Sequence, residues 1–372
     1  MKLKILTFNW HEPYLCLLSR INHEFLVVEP EIAPGHYRKW DQNMRPVPKN
    51  VCLISIEQAL NNLEQGEIDC IIAHNVKDLI KVIDYSLPKI MVFHNCLSTE
   101  IKLGKNKINR NDYLQKITPL LNGVTKVFIS EMKKADWDIQ GEVVLPGLDV
   151  SQYGGYTGNE KRVLRVGNLL KERDLMMGYS FGEKVLKGYP LLTLGMNPEI
   201  PESRISDGFD DLLKQFKNNR VYINTTVDGF EDGYNLAMLE AMATGMPVVT
   251  SQNKTSPICD GVNGFSSNDT DYLSRCIEKF MQDPELAKEM GGQAKKTVIE
   301  KFPINKFIQS WNNVIELAIN HFLKRTGIDL IGETTPFAEK SRKNILMDFV
   351  SYPATTAHYM ERALRQNHNV MT

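Results

Sequence analysis

Glu231-Asp232-Gly233-Tyr234-Asn235-Leu236-Ala237-Met238-Leu239-Glu240-Ala241-Met242-Ala243-Thr244-Gly245-Met246-Pro247-Val248-Val249 reads as loop, helix, turn and buried strand. Gly233 offers a backbone without a Cβ, and Asn235 is the candidate N-cap of a helix beginning at Leu236. Leu236, Leu239 and Ala243 share one helical face. Gly245 suits the position just past the helix end, and Pro247 forbids continuation. The free N–H groups of such a loop and the positive end of the helix dipole suit a phosphate.

Two acids frame that site. Asp232 lies on the loop, and Glu240 follows after seven intervening residues. Glu240 then stands roughly 7–8 Å along the helix axis from Asn235. One carboxylate can reach hydroxyls on one side of a diphosphate and the other those on its far side, which is the layout hexose, diphosphate, ribose. The stretch resembles the retaining glycosyltransferases of family 4, whose donor motif is Glu, seven residues, Glu, then Ala-Met-Ala-x-Gly-x-Pro-Val-Val. Glu240–Val249 follow it closely, while Asp232, with Glu231 beside it, stands in place of the first Glu. The resemblance implies a sugar contact from Asp232 or Glu231, a ribose contact from Glu240, and donor contacts along Gly233, Tyr234, Asn235 and Leu236. Without it, the stretch is a helix–strand unit of any α/β protein, with Glu240 a solvated charge.

The whole chain sets bounds. Its 372 residues suffice for two domains with sizeable cores, and a net charge of −1 gives no global pull toward nucleic acid or anionic membrane. Six scattered cysteines form no close pair and read as small buried residues of a reducing compartment. No leader precedes Lys2 and no apolar run reaches a membrane span, so the expectation is a cytoplasmic protein with peripheral membrane contact left open.

Leu3–Phe8 is a short apolar run. The Tyr14, Leu17, Leu18, Ile21 spacing after Pro13 predicts a helix, and Phe25–Val28 a second strand, giving a β–α–β start and a parallel sheet. No Gly-x-Gly-x-x-Gly follows the first strand, which argues against a nicotinamide or flavin fold; Asn9-Trp10-His11 occupy that turn. Asp69–Asn75 and Lys89–Asn95 are buried strands ending in polar pairs, where α/β proteins place ligands. By the resemblance His94 faces the transferred sugar, with His74 the weaker candidate; a lone histidine at a strand end is also a common structural group. Lys102, Lys105, Lys107 and Arg110 read as a solvated polar loop, or as a meeting point for an anionic acceptor or headgroups. Thr125–Ser130 reads as a strand and Glu131–Trp137 as a helix. Gly147 and Asp149 match the family's strand-plus-Asn-Gly-Val-Asp signature that closes the first domain.

The second domain opens with the strand Val163–Val166. The family's next motif is Gly-Arg-Leu-x-x-x-Lys-Gly, whose cations neutralise the donor diphosphate. Here Arg173 replaces the Lys and Asn168 the Arg, leaving Lys171 as a substitute cation. Only about 30 residues separate Gly195 from the donor loop, room for one helix and one strand. Relatives usually carry an additional unit there that helps hold the base. Asp210-Asp211 reads as the solvated first turn of a helix rather than a metal pair, and metal independence is expected. Asp269–Phe280 is a helix, Asp283-Pro284 opens the next, and Phe307, Trp311, Val314, Ala318 and Phe322 stripe a long closing helix.

The tail repeats the opening grammar. Ile345-Leu346, Pro353 and Arg365–His368 mirror Ile5-Leu6, Pro13 and Arg20–His23, with a segment five residues longer between. The expectation is the start of a further α/β module beyond Thr372, against an edge strand and helix completing the first domain.

The reading is α/β, two Rossmann-like domains facing across a cleft (GT-B type). Residues 1–155 form the acceptor domain, 156–326 the sugar-nucleotide domain, and 327–372 a linker and tail. The resemblance implies transfer from a nucleotide sugar, a UDP- or GDP-sugar, to a glycan, lipid-linked or other acceptor, with no further cofactor. The catalytic candidates are His94, Asp232 and Arg173. Donor binding falls to Lys171, Asn168, Glu231, Gly233, Tyr234, Asn235, Leu236 and Glu240. A sugar-nucleotide epimerase of the same fold and a non-catalytic binding module are the alternatives.

Overall fold

The structure, a computed structural model, describes residues 2–30, 39–104 and 108–326, with two short strands in the tail. The first sheet has strands β1 (Lys4–Phe8), β2 (Glu24–Val28), β3 (Val51–Ile54), β4 (Cys70–Ala73), β5 (Lys89–Phe93), β6 (Thr125–Phe128) and β7 (Glu142–Val143). Their spatial order is β3-β2-β1-β4-β5-β6-β7, parallel throughout. Helices α1 (Glu12–Leu18), α2 (Ile56–Glu64), α3 (Val76–Lys81), α4 (Leu97–Leu103), α5 (Arg110–Ile117) and α6 (Glu131–Trp137) connect them. Parallel strands covered on both faces must be apolar nearly throughout. Every residue of β4 and β5 is accordingly buried.

The second sheet contains β8 (Glu160–Val166), β9 (Leu191–Leu194), β10 (Asn219–Asn224), β11 (Val248–Thr250) and β12 (Phe265–Ser266), in the parallel order β12-β11-β10-β8-β9. Its helices are α7 (Asp174–Met177), α8 (Tyr179–Val185), α9 (Gly208–Asn218), α10 (Leu236–Thr244), α11 (Thr270–Gln282) and α12 (Pro284–Lys301). Between Gly195 and the donor loop there is one helix and one strand, as the chain length allows. Each sheet reverses its winding once, at β1/β4 and at β8/β10. Crevices at the carboxyl ends of such strands are where doubly wound sheets take ligands.

The helix that organises the second domain is α10. Asn235 caps it, its Oδ1 accepting the Met238 N–H at 2.8 Å, and Gly245 ends it at φ 93°. From Met238 to Thr244 every residue is buried. Helix α12 approaches so closely that a Cβ at Gly291 would lie 1.9 Å from the Gly245 carbonyl oxygen.

The closing helix α13 (Ile304–Thr326) does not stay with the domain that precedes it. Phe307, Trp311, Val314 and Ala318 join Ile5, Ile72, Val92 and Val127 in the core under the first sheet. The division at residue 156 follows chain order; packing assigns this helix to the first domain's core. Gly147 marks the crossing, since a Cβ there would sit 2.6 Å from that of Phe307.

Several local expectations change. Lys102 to Arg110 is not one loop: Lys102 lies in the last turn of α4, Arg110 opens α5, and residues 105–107 lie outside those described. Lys102 sits 4.4 Å over the Phe230 ring, and Arg110 pairs with Asp136 at 3.7 Å, so both cations have structural partners. Cys70, Cys96 and Cys276 are buried as expected, but Cys52 and Cys259 are exposed. Asp211 is held by Arg204 at 2.7 Å. In the tail, β13 (Asn344–Leu346) pairs in parallel with β14 (Asn369–Met371), apart from both larger sheets. The expected helix between them lies outside the described residues. Among the described residues no helix is long and apolar enough to cross a membrane, and no acidic, histidine or cysteine cluster could hold a metal ion.

Candidate active site

Residues near the carboxyl ends of both sheets meet across one cleft. From the second domain come the turn after β8, carrying Asn168 and Arg173, and the loop after β10, carrying Glu231 and Asp232. From the first come His74 and His94, at the ends of β4 and β5, and Lys133 on α6.

The histidines form a relay. Thr7 Oγ1 lies 2.9 Å from His74 Nε2, and His74 Nδ1 lies 2.9 Å from His94 Nε2. His74 is 2% exposed, and burial first, then the charge of His11, pushes its pKa down to about 3. His94 is half-buried and edge-on to Tyr14 at 4.8 Å. Burial, then His74, His11 and Lys133, hold it well below the ordinary histidine range. Both rings are therefore neutral hydrogen-bonding groups near pH 7.

Facing them, Asp232 is 2% exposed. Its Oδ2 lies 2.6 Å from Lys133 Nζ, which also donates to Glu231 Oε1. Asp232 Oδ1 is buried with no hydrogen-bond partner among the described residues. Arg173, just before α7, is half-buried; burial lowers its pKa and the nearby charge of Glu231 raises it. Lys133 thus joins Asp232 and Glu231 on the side where His94 feels its charge, and Arg173 lies near Glu231.

The other expected donor residues divide. Asn168 is structural: its Oδ1 accepts the Met196 N–H at 2.9 Å. Lys171 points away, more than half exposed and 3.8 Å from Glu199, because the turn carries it to the outer surface. The Gly233 N–H is not free, since it donates to Thr255 Oγ1 at 2.7 Å. What Gly233 does supply is space, as a Cβ there would meet the Ser256 nitrogen at 2.5 Å. Tyr234 belongs to the core, edge-on to Phe302 at 5.0 Å. Leu236 leans on the first domain's core.

Glu240 is buried and bound. Its Oε1 receives Arg45 Nη2 at 2.6 Å and the Tyr153 hydroxyl at 2.9 Å. The Arg45 guanidinium also stacks 4.2 Å from the centre of the Phe209 ring. Lys133, Arg45 and Tyr153 were not anticipated. Lys133 had a readable signal, a lysine four residues before the buried Trp137 on the same helix face. Arg45, between Met44 and Pro46, had none.

Asp232, Glu240 and the Asn235-capped helix all fall within one matched segment. Residues 208–297 match the glycosyl transferases group 1 family. The group 1 segment holds α9, β10, α10, β11, β12, α11 and most of α12. Similarity to curated proteins runs through part of each. The chain is 25% identical over 164 residues to the poly(glycerol-phosphate) alpha-glucosyltransferase of Bacillus subtilis, covering 35% of this chain and 24% of that protein. It is 25% identical over 155 residues to an uncharacterized glycosyltransferase of Methanocaldococcus jannaschii, covering 41% of this chain and 39% of that protein. The chain thus spans less than two-fifths of the length of these relatives. Among solved structures, Anabaena Alr3699/HepE in complex with UDP-glucose superimposes with a TM-score of 0.62 at 15% identity, over 85% of this chain and 100% of that one. WaaG, a glycosyltransferase involved in lipopolysaccharide biosynthesis, gives 0.56 at 11%, over 85% and 99%. The fold is GT-B, two parallel-sheet Rossmann-like domains.

Proposed function

We propose that this chain is a retaining glycosyltransferase of family 4 that moves a sugar from a nucleotide-sugar donor to a hydroxyl acceptor. The donor would lie on residues 231–240 and Arg173, and the acceptor mainly on the first domain. The observation that carries the reading is Asp232 Oδ1, a buried carboxylate oxygen without a partner among the described residues, at the mouth of a capped helix. Leaving such an atom unpaired is costly unless a ligand donates to it. A sugar hydroxyl beside a diphosphate on the helix N-terminus does so.

In the reaction, the bond from the anomeric carbon to the diphosphate breaks and the acceptor oxygen bonds on the same face. The leaving diphosphate takes the acceptor proton. Arg173 stabilises the charge gathering on that diphosphate, and neutral His94 hydrogen-bonds the sugar. The proposal includes no metal. UDP-sugars head the donor list because the HepE complex holds UDP-glucose. Polyol-phosphate chains head the acceptor list because of the Bacillus relative.

The test is a panel of UDP-, GDP-, ADP-, CMP- and dTDP-sugars, with the product's anomeric configuration followed by NMR. The reading expects release of sugar, or transfer, with configuration retained. Inverted product refutes retention; an altered sugar still on its nucleotide marks an epimerase; binding without turnover marks a binding module.

A further inference from the structure

Three observations converge on Lys133. It stands in the first turn of α6, which Ser130 caps by accepting the Lys133 N–H at 3.2 Å. Its side chain is 2% exposed, yet burial does not neutralise it: the carboxylates of Glu231 and Asp232 outweigh that burial and hold its pKa above the ordinary lysine range. Lastly, Asp232 has one oxygen on this ammonium and the other buried without a partner among the described residues.

We propose that Lys133 is the positioning residue of the sugar-facing acid: from the opposite domain it occupies Asp232 Oδ2, leaves Oδ1 as the one acceptor for a substrate hydroxyl, and so completes the site only when the cleft is closed. This rests on reading residues 231–240 as the donor site.

A carboxylate on its own turns about a broad, roughly two-fold torsion and offers either oxygen. Anchoring Oδ2 removes that freedom and gives Oδ1 one direction. Glu231 tightens the arrangement, because its Oε1 takes both Lys133 Nζ and the Asp232 N–H, the latter at 3.0 Å. The lysine and the acids lie on different domains, 98 and 99 residues apart. Opening the cleft separates them, and a donor that enters an open cleft meets its full set of contacts only on closure. The other titratable groups facing this cluster are His94 and Cys96, the latter also near Asp136, from the first domain and Arg173 and Tyr234 from the second.

The test compares Lys133→Met and Lys133→Arg with the wild type in two readouts. In ligand-free protein, Lys133→Met strips the buried Asp232 and the largely buried Glu231 of the ammonium they share, and burial then penalises their ionised forms over their protonated ones. A group with a raised folded pKa loses stability as pH rises. The Tm deficit of Lys133→Met should therefore be largest at pH 8 and shrink toward pH 5, while Lys133→Arg follows the wild type. A deficit equal at both pH values overturns the pairing and leaves Lys133 as space-filling.

In turnover of the donor that the panel identifies, Lys133→Met should lower kcat by about 10²-fold, in the range for a lost transition-state contact. The Kd for UDP, which lacks the sugar, should change by less than about twofold, and Lys133→Arg should recover most of kcat. Loss of UDP affinity equal to the loss of kcat overturns the role and assigns Lys133 to the diphosphate. A wild-type protein that turns over no nucleotide sugar overturns the donor-site reading and this role with it. The pH-dependent Tm still reports separately on the ion pair.

Discussion

Arg45 and Glu240 lie 195 residues apart in sequence, and 2.6 Å separates their charged atoms. Each side chain is only 7% exposed, one from each side of the cleft. With Lys133 on Asp232, this means both acids that frame the donor site are tied to cations of the first domain. Removing one partner of a buried ion pair strands a charge, whereas replacing both by apolar groups often costs little. Arg45→Met alone should destabilise the protein by about 3–5 kcal/mol, and Arg45→Met with Glu240→Leu by much less. Urea titrations decide it; equal losses in single and double variants would mean the pair contributes only through packing.

Asp232→Ala and Glu240→Ala should fail differently. Asp232 faces the reacting sugar, so its loss should lower kcat. Glu240 holds ribose alike in ground and transition states once Arg45 yields to it, so its loss should chiefly raise KM. Steady-state kinetics on the identified donor separate them. Full kcat in Asp232→Ala together with a collapse in Glu231→Ala would show that Glu231 is the sugar-facing acid.

Arg173→Ala should reduce the rate by about 10²–10³, the usual range for a preorganised donor at developing charge. Lys171→Ala should stay near wild type, since its exposed pair with Glu199 is 3.8 Å apart and surface pairs contribute little. Comparable rates in both variants would place the diphosphate away from the β8 turn.

Stability should fall as the solution is acidified below pH ~6.5, the unfolded histidine value. His74 folds with its pKa pushed down to about 3. Below pH ~6.5 the unfolded chain takes up a proton that the folded one refuses, so stability drops by up to ~1.4 kcal/mol per pH unit for each such histidine. His74→Gln should flatten this slope in denaturant titrations at pH 7, 6 and 5. An unchanged slope would show that the buried ring is not the source.

What the sequence alone determined about this protein are features settled within a few bonds. Asn235, Gly245 and Pro247 bound α10 where they predict it, because caps and breakers act on backbone groups three or four residues away. The strands of both sheets are largely legible as apolar runs; Val51–Ile54 is not, because Ile54 alone of its four residues is buried. The donor motif singled out Asp232 and Glu240 but not the groups they meet. Tertiary structure decided that Tyr234 turns into the core, that Asn168 serves the Met196 amide, and that α13 crosses back under the first sheet. It also decided that Lys133 and Arg45 reach across the cleft to the two acids. The choice of ionic partner depends on which surfaces two separately folded sheets present to each other. No periodicity along the chain encodes that meeting, because the Coulomb energy of a buried pair depends on distance in space and on excluded water, not on separation in sequence.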